Sequence, residues 1–199
     1  PPITVVASKR DLSLVDFAGQ VSVLDGRDLT FGGVGGTERI TQAIASVSST
    51  HLGSGRNKLF IRGIADSSFT GPTQATVGQY LGDLRLGYNA PDPDLRLSDL
   101  ARVEVLEGPQ GTLYGAGSLG GIIRLVPNMP QLGVTTAQLR VGGSTTWHGD
   151  PGADIGATVN LPLAGDAAAL RLVVDGSRSG GYIDKPLIGQ DDVNRSDIV

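Results

Sequence analysis

Residues 102–127 read RVEVLEGPQGTLYGAGSLGGIIRLVP, two β-prone runs around a glycine-dense turn region. In the first run Val103 and Val105 alternate with Arg102, Glu104 and Leu106. That period of two predicts a strand with two different faces. In the second run Ile122, Ile123, Leu125 and Val126 form an apolar, largely β-branched stretch that Pro127 stops. Gly108, Pro109, Gly111, Gly115, Gly117, Gly120 and Gly121 lie between them and call for tight turns, positive φ angles or close backbone packing. The stretch predicts a compact, turn-rich β unit.

Two enzyme readings of the same residues fail on context. Gly115, Gly117 and Gly120 spell G-x-G-x-x-G, whose chemistry needs a helix opening at the third glycine to hold a pyrophosphate. Here Gly121 and a β-prone run follow, then Pro127 and Pro130; Gln138 and Arg140 stand where the ribose-binding acid belongs. Ala116–Gly120 (AGSLG) is a degenerate nucleophile elbow around Ser118. An elbow needs a strand-to-helix turn with a histidine and an acid in support, and the only downstream histidine is His148, in a loop-like segment. Structural glycine is the reading adopted.

Composition agrees with a β-rich chain. Thirty glycines and 11 prolines occur in 199 residues, about twice the usual glycine frequency. The length allows one or two domains with a true core. Sixteen basic against 20 acidic residues give a net charge of −4, which argues against nucleic acid as a partner. Without cysteine there is neither a disulfide framework nor a thiolate metal site, and His51 and His148 are isolated. No segment is long and apolar enough for a membrane-spanning helix, a test to which β-barrel strands are blind.

The organisation changes near residues 127–132. Upstream, Ile3–Ala7 (ITVVA) is a short β-prone run, and Thr37–Val47 places Ile40, Ala43, Ile44 and Val47 at helical spacing with Thr37 as a cap. Strands are expected at Leu59–Ile64 and Ala75–Leu81, with loops at 48–58, 66–73 and 84–96. This is the pattern of a small α+β domain. Downstream, three runs alternate strictly: Ala137, Leu139 and Val141; then Ile155, Ala157, Val159, Leu161 and Leu163; then Leu170, Leu172 and Val174. Polar residues and glycine fill the positions between, and a turn at 164–166 makes the second and third runs a hairpin. A soluble sandwich and a barrel with lipid outside and a wet lumen both produce this alternation.

Phe60–Gly63 (FIRG), the strand leading into Leu81–Asp83, Arg102–Gly108 (RVEVLEG), Gly111–Gly115 (GTLYG) and Gly120–Ile123 (GGII) occur in an order and spacing that resemble the TonB-dependent outer-membrane receptors. The resemblance covers nearly the whole chain. It implies an α+β plug domain followed by antiparallel β-strands of a transmembrane β-barrel. Residues 1–10 would be a TonB-box-like segment, 11–130 the plug, and 131–199 the first barrel strands. Three strands cannot close a barrel of about 22 strands, so a truncated barrel or fragment is expected, ending soon after its third strand in a polar loop at 190–197.

The resemblance also implies sites and partners. Ile3, Thr4, Val5, Val6 and Ala7 would form the TonB box, engaging a TonB-type inner-membrane energy transducer in the periplasm by strand addition. Ser54, Arg56, Asn57, Ser67, Ser68, Tyr88 and Asn89 would contact a scarce small-molecule substrate, a ferric siderophore or other metal chelate. Arg62, Arg102 and Glu104 would form an ionic network between plug and barrel wall, because charges within β patterns are costly unless paired or wet. Glu107 departs from the basic residue frequent before this glycine-proline pair. Asp92 and Asp94 offer oxygen ligands to calcium, but a DPD sequence does not define a site. The implied protein is a transporter, not an enzyme, with outer-membrane lipid around it and no resident cofactor or metal. A soluble or surface β-rich binding module without a transport role is the alternative.

Overall fold

The computed structural model describes residues 4–5, 9, 12–13, 16–29, 35–52, 57–65, 73–87, 89, 91–164 and 167–198. They fall into two compact units, one made of Pro1–Leu29 with Gly35–Pro127, the other containing Asn128–Val199. In chain order the first unit comprises β1 (Thr4–Val5), β2 (Leu12–Ser13), β3 (Val21–Asp25), α1 (Gly26–Leu29), α2 (Thr37–Ala43), β4 (Val47–Ser49), β5 (Leu59–Ile61), β6 (Val77–Leu81), β7 (Leu84–Arg85), β8 (Leu100–Glu107), α3 (Gly111–Tyr114) and β9 (Gly121–Pro127).

Its centre is a five-stranded mixed sheet in the order β3-β8-β9-β6-β7, with only β6 and β9 parallel. The two runs that open the sequence argument are the antiparallel pair β8–β9, and Pro127 is the last residue of its strand. Gly121 pairs with Glu107 at the end of the ladder next to the glycine-rich turns. Its φ is +143°, and a Cβ there would lie 2.2 Å from the Leu106 carbonyl oxygen, so only glycine fits.

β8 differs from the half-exposed strand its alternation suggests. Val103, Glu104, Val105 and Leu106 are all fully buried. One face packs Val103 and Val105 with Ile40, Val47, Leu59, Val77, Leu97, Ile123 and Leu125. The other packs Leu106 with Tyr80, Tyr114 and Ile122, covered in part by Phe17 and Val21. A sheet sandwiched on both sides buries its polar positions too, and those must then be paired.

Local expectations change elsewhere. α2 ends at Ala43; Ile44 is extended, and Val47 reaches the core from strand β4, antiparallel to β5, rather than from a helix. Thr37 is the first helical residue and not a side-chain cap. Asp94 accepts a hydrogen bond from the Thr37 N–H (3.3 Å), and the Thr37 hydroxyl accepts one from the Leu95 N–H (3.0 Å). The segment expected as a loop from residue 84 begins with β7, which pairs with β6. Strand β3, helix α1 and strand β4 add to the expected elements.

The second unit is an antiparallel meander of β10 (Thr136–Ser144), β11 (Gly152–Pro162), β12 (Ala169–Ser179) and β13 (Ser196–Ile198). The short β13 pairs with β12 where the sequence had suggested only a polar loop. Register aligns the apolar residues into rows: Leu139–Ala157–Val174, Ala137–Val159–Leu172 and Val141–Ile155–Gly176. Leu139, Val141 and Val174 are 70%, 72% and 67% exposed, so this face meets no protein within the unit. On the opposite face Arg140 faces Gly156 and forms an ion pair with Asp154 at 3.5 Å. A Cβ at Gly156 would lie 2.6 Å from the Arg140 guanidinium, so this glycine makes room for the charge. Buried Asn160 anchors the sheet's start, donating to the carbonyls of Gln131 and Val134 and accepting from the Gln131 N–H.

Candidate functional site

The five positions of the expected TonB box divide at the limits of the described residues. Thr4 and Val5 form β1 and pair with Ser13 and Leu12 of β2, whereas Ile3, Val6 and Ala7 lie outside the described residues. Two residues further on, the Lys9 ammonium donates to the Asp83 carboxylate at 3.3 Å and sits 5.1 Å from the Tyr114 ring centroid. Asp83 stands in the turn between β6 and β7. Tyr80 meets Tyr114 edge to face with ring centroids 4.8 Å apart, and its hydroxyl donates to the Tyr114 carbonyl at 3.1 Å. Lys9, Tyr80, Asp83, Arg85, Tyr114 and Ala116 line a notch of about 400 Å³.

Asp83 is also the outer member of a chain of charges. Arg124 Nη2 donates to it at 3.2 Å while Arg124 Nε donates to the Gly82 carbonyl at 2.8 Å. Glu104 lies directly opposite Arg124 across the β8–β9 ladder, its carboxylate 3.9 Å from Arg124 Nη1. Arg102 Nε donates to the same carboxylate at 2.6 Å. The resulting order is Arg102, Glu104, Arg124, Asp83, Lys9, alternating in sign from a buried strand to the N-terminal segment. The hydrogen bond from Lys9, with the positive charge of Arg124, holds the Asp83 carboxyl below its ordinary range. Burial pushes the Tyr114 phenol up to about 12, against a smaller opposing pull from Arg124.

Arg62 belongs to a different cluster from Arg102 and Glu104. It has a positive φ of 55° in the turn after β5, and its Nε donates to Glu107 at 2.6 Å. Its Nη2 donates to the Gln20 side chain, and the Ser46 hydroxyl donates to the other Glu107 oxygen at 2.8 Å. Glu107, the departure noted in the sequence, is thus the buried acceptor at the centre of its own site.

Among the expected substrate-contacting residues, Asn57 and Asn89 are described; Ser54, Arg56, Ser67, Ser68 and Tyr88 lie outside the described residues. The Asn57 carbonyl accepts from the Asp92 N–H (2.8 Å), and Asn89 bridges Gln74. Lys58, next to Asn57, donates to the Thr73 hydroxyl at 2.9 Å and so ties the bases of two of the expected loops. Asp92 is buried and accepts from the Leu59 N–H at 2.7 Å. Both acids of the DPD sequence therefore brace the backbone, Asp92 at β5 and Asp94 at α2.

Ser118 is likewise structural, buried with its hydroxyl donating to the Gly115 carbonyl at 2.7 Å. Sequence reasoning missed Lys9, Asp83, Arg124 and the Tyr80–Tyr114 pair. Only Arg124 carried a local signal, as the single charge within an otherwise apolar strand. The others are joined by register and turn geometry.

An α+β unit is thus joined in sequence to an antiparallel meander with an exposed apolar face. The TonB-dependent receptor plug domain matches residues 13–122, and the chain belongs to that family. The curated relatives it matches are receptors. The pesticin receptor of Yersinia pestis is 31% identical over 134 residues, which make up 63% of this chain and 19% of that receptor. The pesticin receptor of Yersinia enterocolitica is 56% identical over 34 residues, 17% of this chain and 5% of that receptor. The chain spans about a fifth or less of the length of these curated relatives.

Solved structures agree in fold. The ferripyoverdine receptor of the outer membrane of Pseudomonas aeruginosa, bound to ferripyoverdine, superposes with a TM-score of 0.73 at 20% identity, covering 92% of this chain and 23% of that one. The ferric yersiniabactin uptake receptor of Yersinia pestis gives 0.67 at 20% identity, covering 90% and 27%. The plug and the antiparallel strands after it are thus the fold of the family.

Proposed function

We propose that this chain is the plug and first barrel strands of an energy-coupled receptor that imports a ferric siderophore or another metal chelate across the outer membrane. The observation that carries the reading is the joining, in one chain, of a matched plug sequence to strands whose apolar residues form continuous exposed rows. Such rows need lipid, and a plug has work only inside a barrel. In this reading residues 1–10 are the coupling segment in the periplasm, 11–130 the plug and 131–199 barrel wall. Relatives named for ferric siderophores support the substrate class.

Roles follow for the residues. Ile3, Thr4, Val5, Val6 and Ala7 add as a strand to the energy transducer, where main-chain hydrogen bonds supply affinity. Asn57 and Asn89, with Ser54, Arg56, Ser67, Ser68 and Tyr88, present hydrogen-bond donors and an aromatic ring to the chelate. Arg102, Glu104 and Arg124 hold a buried charge within the plug sheet, and Arg62 braces the same plug through Glu107. Titration calorimetry of the receptor with the periplasmic domain of its transducer tests the coupling. Binding that Val5→Pro abolishes upholds the reading, since proline removes an N–H and fixes φ. Undiminished binding by that variant would remove the box assignment. For the substrate, uptake of a radiolabelled ferric siderophore that Asn57→Ala slows at unchanged expression is expected; uptake of no ferric chelate at all would overturn the class.

A further inference from the structure

The notch around Asp83 joins the N-terminal segment to the sheet at the turn between β6 and β7. Lys9 lies in the connection between β1 and β2, so its contact with Asp83 spans 74 residues of sequence. The contact falls at the turn between β6 and β7, and β7 is a two-residue strand at the edge of the five-stranded sheet. A short edge strand with few ladder bonds belongs to the parts of a fold that open locally at low cost. Lys9 and Asp83 are 43% and 73% exposed, so the pair is worth little by itself and is screened by salt. A weak, solvent-open contact of that kind is releasable without disturbing the core. The Tyr114 ring beside Lys9 gives it a second, shape-bearing hold.

Loss of Lys9 has a consequence inside the plug. Asp83 then keeps Arg124 alone, and Arg124 is shared with fully buried Glu104. The charge chain thus links the state of the N-terminal segment to the centre of the sheet through two side-chain contacts.

We propose that Lys9, seated on Asp83 and Tyr114, is a releasable electrostatic latch that holds the coupling segment against the β6–β7 turn of the plug and gives way when that segment is drawn off. The proposal rests on reading residues 3–7 as the coupling segment, but the latch itself is measured without the transducer. These 199 residues contain no cysteine, so with any cysteine elsewhere in the receptor replaced by serine, a nitroxide placed through Ser8→Cys reports on the segment in the intact receptor. Its spectrum is expected to be largely immobilised at low salt. Lys9→Gln and Asp83→Asn should each raise the mobile-to-immobile ratio about two- to fivefold, the range that an exposed ion pair supports. Lys9→Arg should restore the immobilised spectrum, and salt should mobilise the parent label but leave Lys9→Gln nearly unchanged. Identical line shapes in the parent, Lys9→Gln and Asp83→Asn would overturn the latch, as would a label already mobile in the parent. Transducer binding measured on the same samples separates the two ideas. Binding with no change in label mobility sinks the latch alone, and label release without any transducer binding sinks the coupling-segment reading.

Discussion

Arg62 and Glu107 are joined at 2.6 Å across 45 residues of sequence, and the Glu107 side chain is only 1% exposed while that of Arg62 is half open to solvent. The pair fastens the turn after β5 to the end of β8, just before the glycine-rich turns. Glu107 also accepts from Ser46, so its carboxylate is satisfied from two elements at once. A buried carboxylate is tolerated only with such partners.

Arg62→Ala should therefore destabilise the plug by about 1–3 kcal/mol, the cost of removing a charged hydrogen-bond partner from a buried acceptor. Glu107→Gln, which keeps shape and the Ser46 contact, should cost less. Urea denaturation of the plug unit, followed by circular dichroism, checks the order. Equal stability of Arg62→Ala and the parent would show that Ser46 and the backbone suffice.

Glu104 and Arg124 make a second test. They face each other in register, and Arg102 shares the carboxylate. Glu104→Ala leaves two guanidiniums without their buried counter-charge and should cost about 3–5 kcal/mol. Glu104→Met with Arg124→Leu removes both charges and should recover much of that loss. A double-mutant cycle is expected to show coupling of about 1–3 kcal/mol; additive losses would mean that the two residues act independently.

Tyr114 gives the pH dependence. Its phenol is raised to about 12 by burial against an ordinary value of 10.0. The folded state thus disfavours the phenolate, and the unfolded chain releases this proton first. Stability from this group is fully present below pH 10 and is lost as the pH rises from 10 to about 12. Ultraviolet titration at 295 nm should show one tyrosine ionising late, a component missing from Tyr114→Phe. If Tyr114→Phe leaves the high-pH part of the titration unchanged, the burial argument is wrong.

How legible these features were depends on how local they are. The β8–turn–β9 unit and the strands β10, β11 and β12 could be read because period-two patterns and glycine turns are local. β3 was missed because VSVLD is short and sits at a sheet edge, and Val47 was read as helical because its core-facing spacing suits a helix or a strand equally. The alternation in β8 suggested two different faces, yet residues 103–106 are buried on both. Arg124 neutralises Glu104 from the next strand, and only the hairpin register brings the two together. Of the expected ionic network, Arg102 and Glu104 do meet, while Arg62 lies with Glu107. Lys9 and Asp83, 74 residues apart at a turn, had no sequence signal at all.

The apolar rows of the second unit yield the last prediction. Val174 is central in β12, level with Ala157 and Leu139, and its face carries no charge in that row. Thr158 lies one residue along β11 from Ala157, on the opposite face, level with Gln138 and Val173. If lipid covers the first face, Val174→Arg in the whole receptor should cost about 2–4 kcal/mol at mid-membrane depth and lower the yield of folded barrel. Thr158→Arg adds the same charge to the other face, which water would wet, and should fold nearly as the parent does. Heat-modifiable migration in gels, which distinguishes a folded barrel from an unfolded chain, reads both. Because a shift of one residue reverses the two faces, the contrast between neighbouring strands tests register and membrane side together. Equal tolerance of arginine at 158 and 174 would leave no lipid face, and would favour a water-facing β module over a barrel wall.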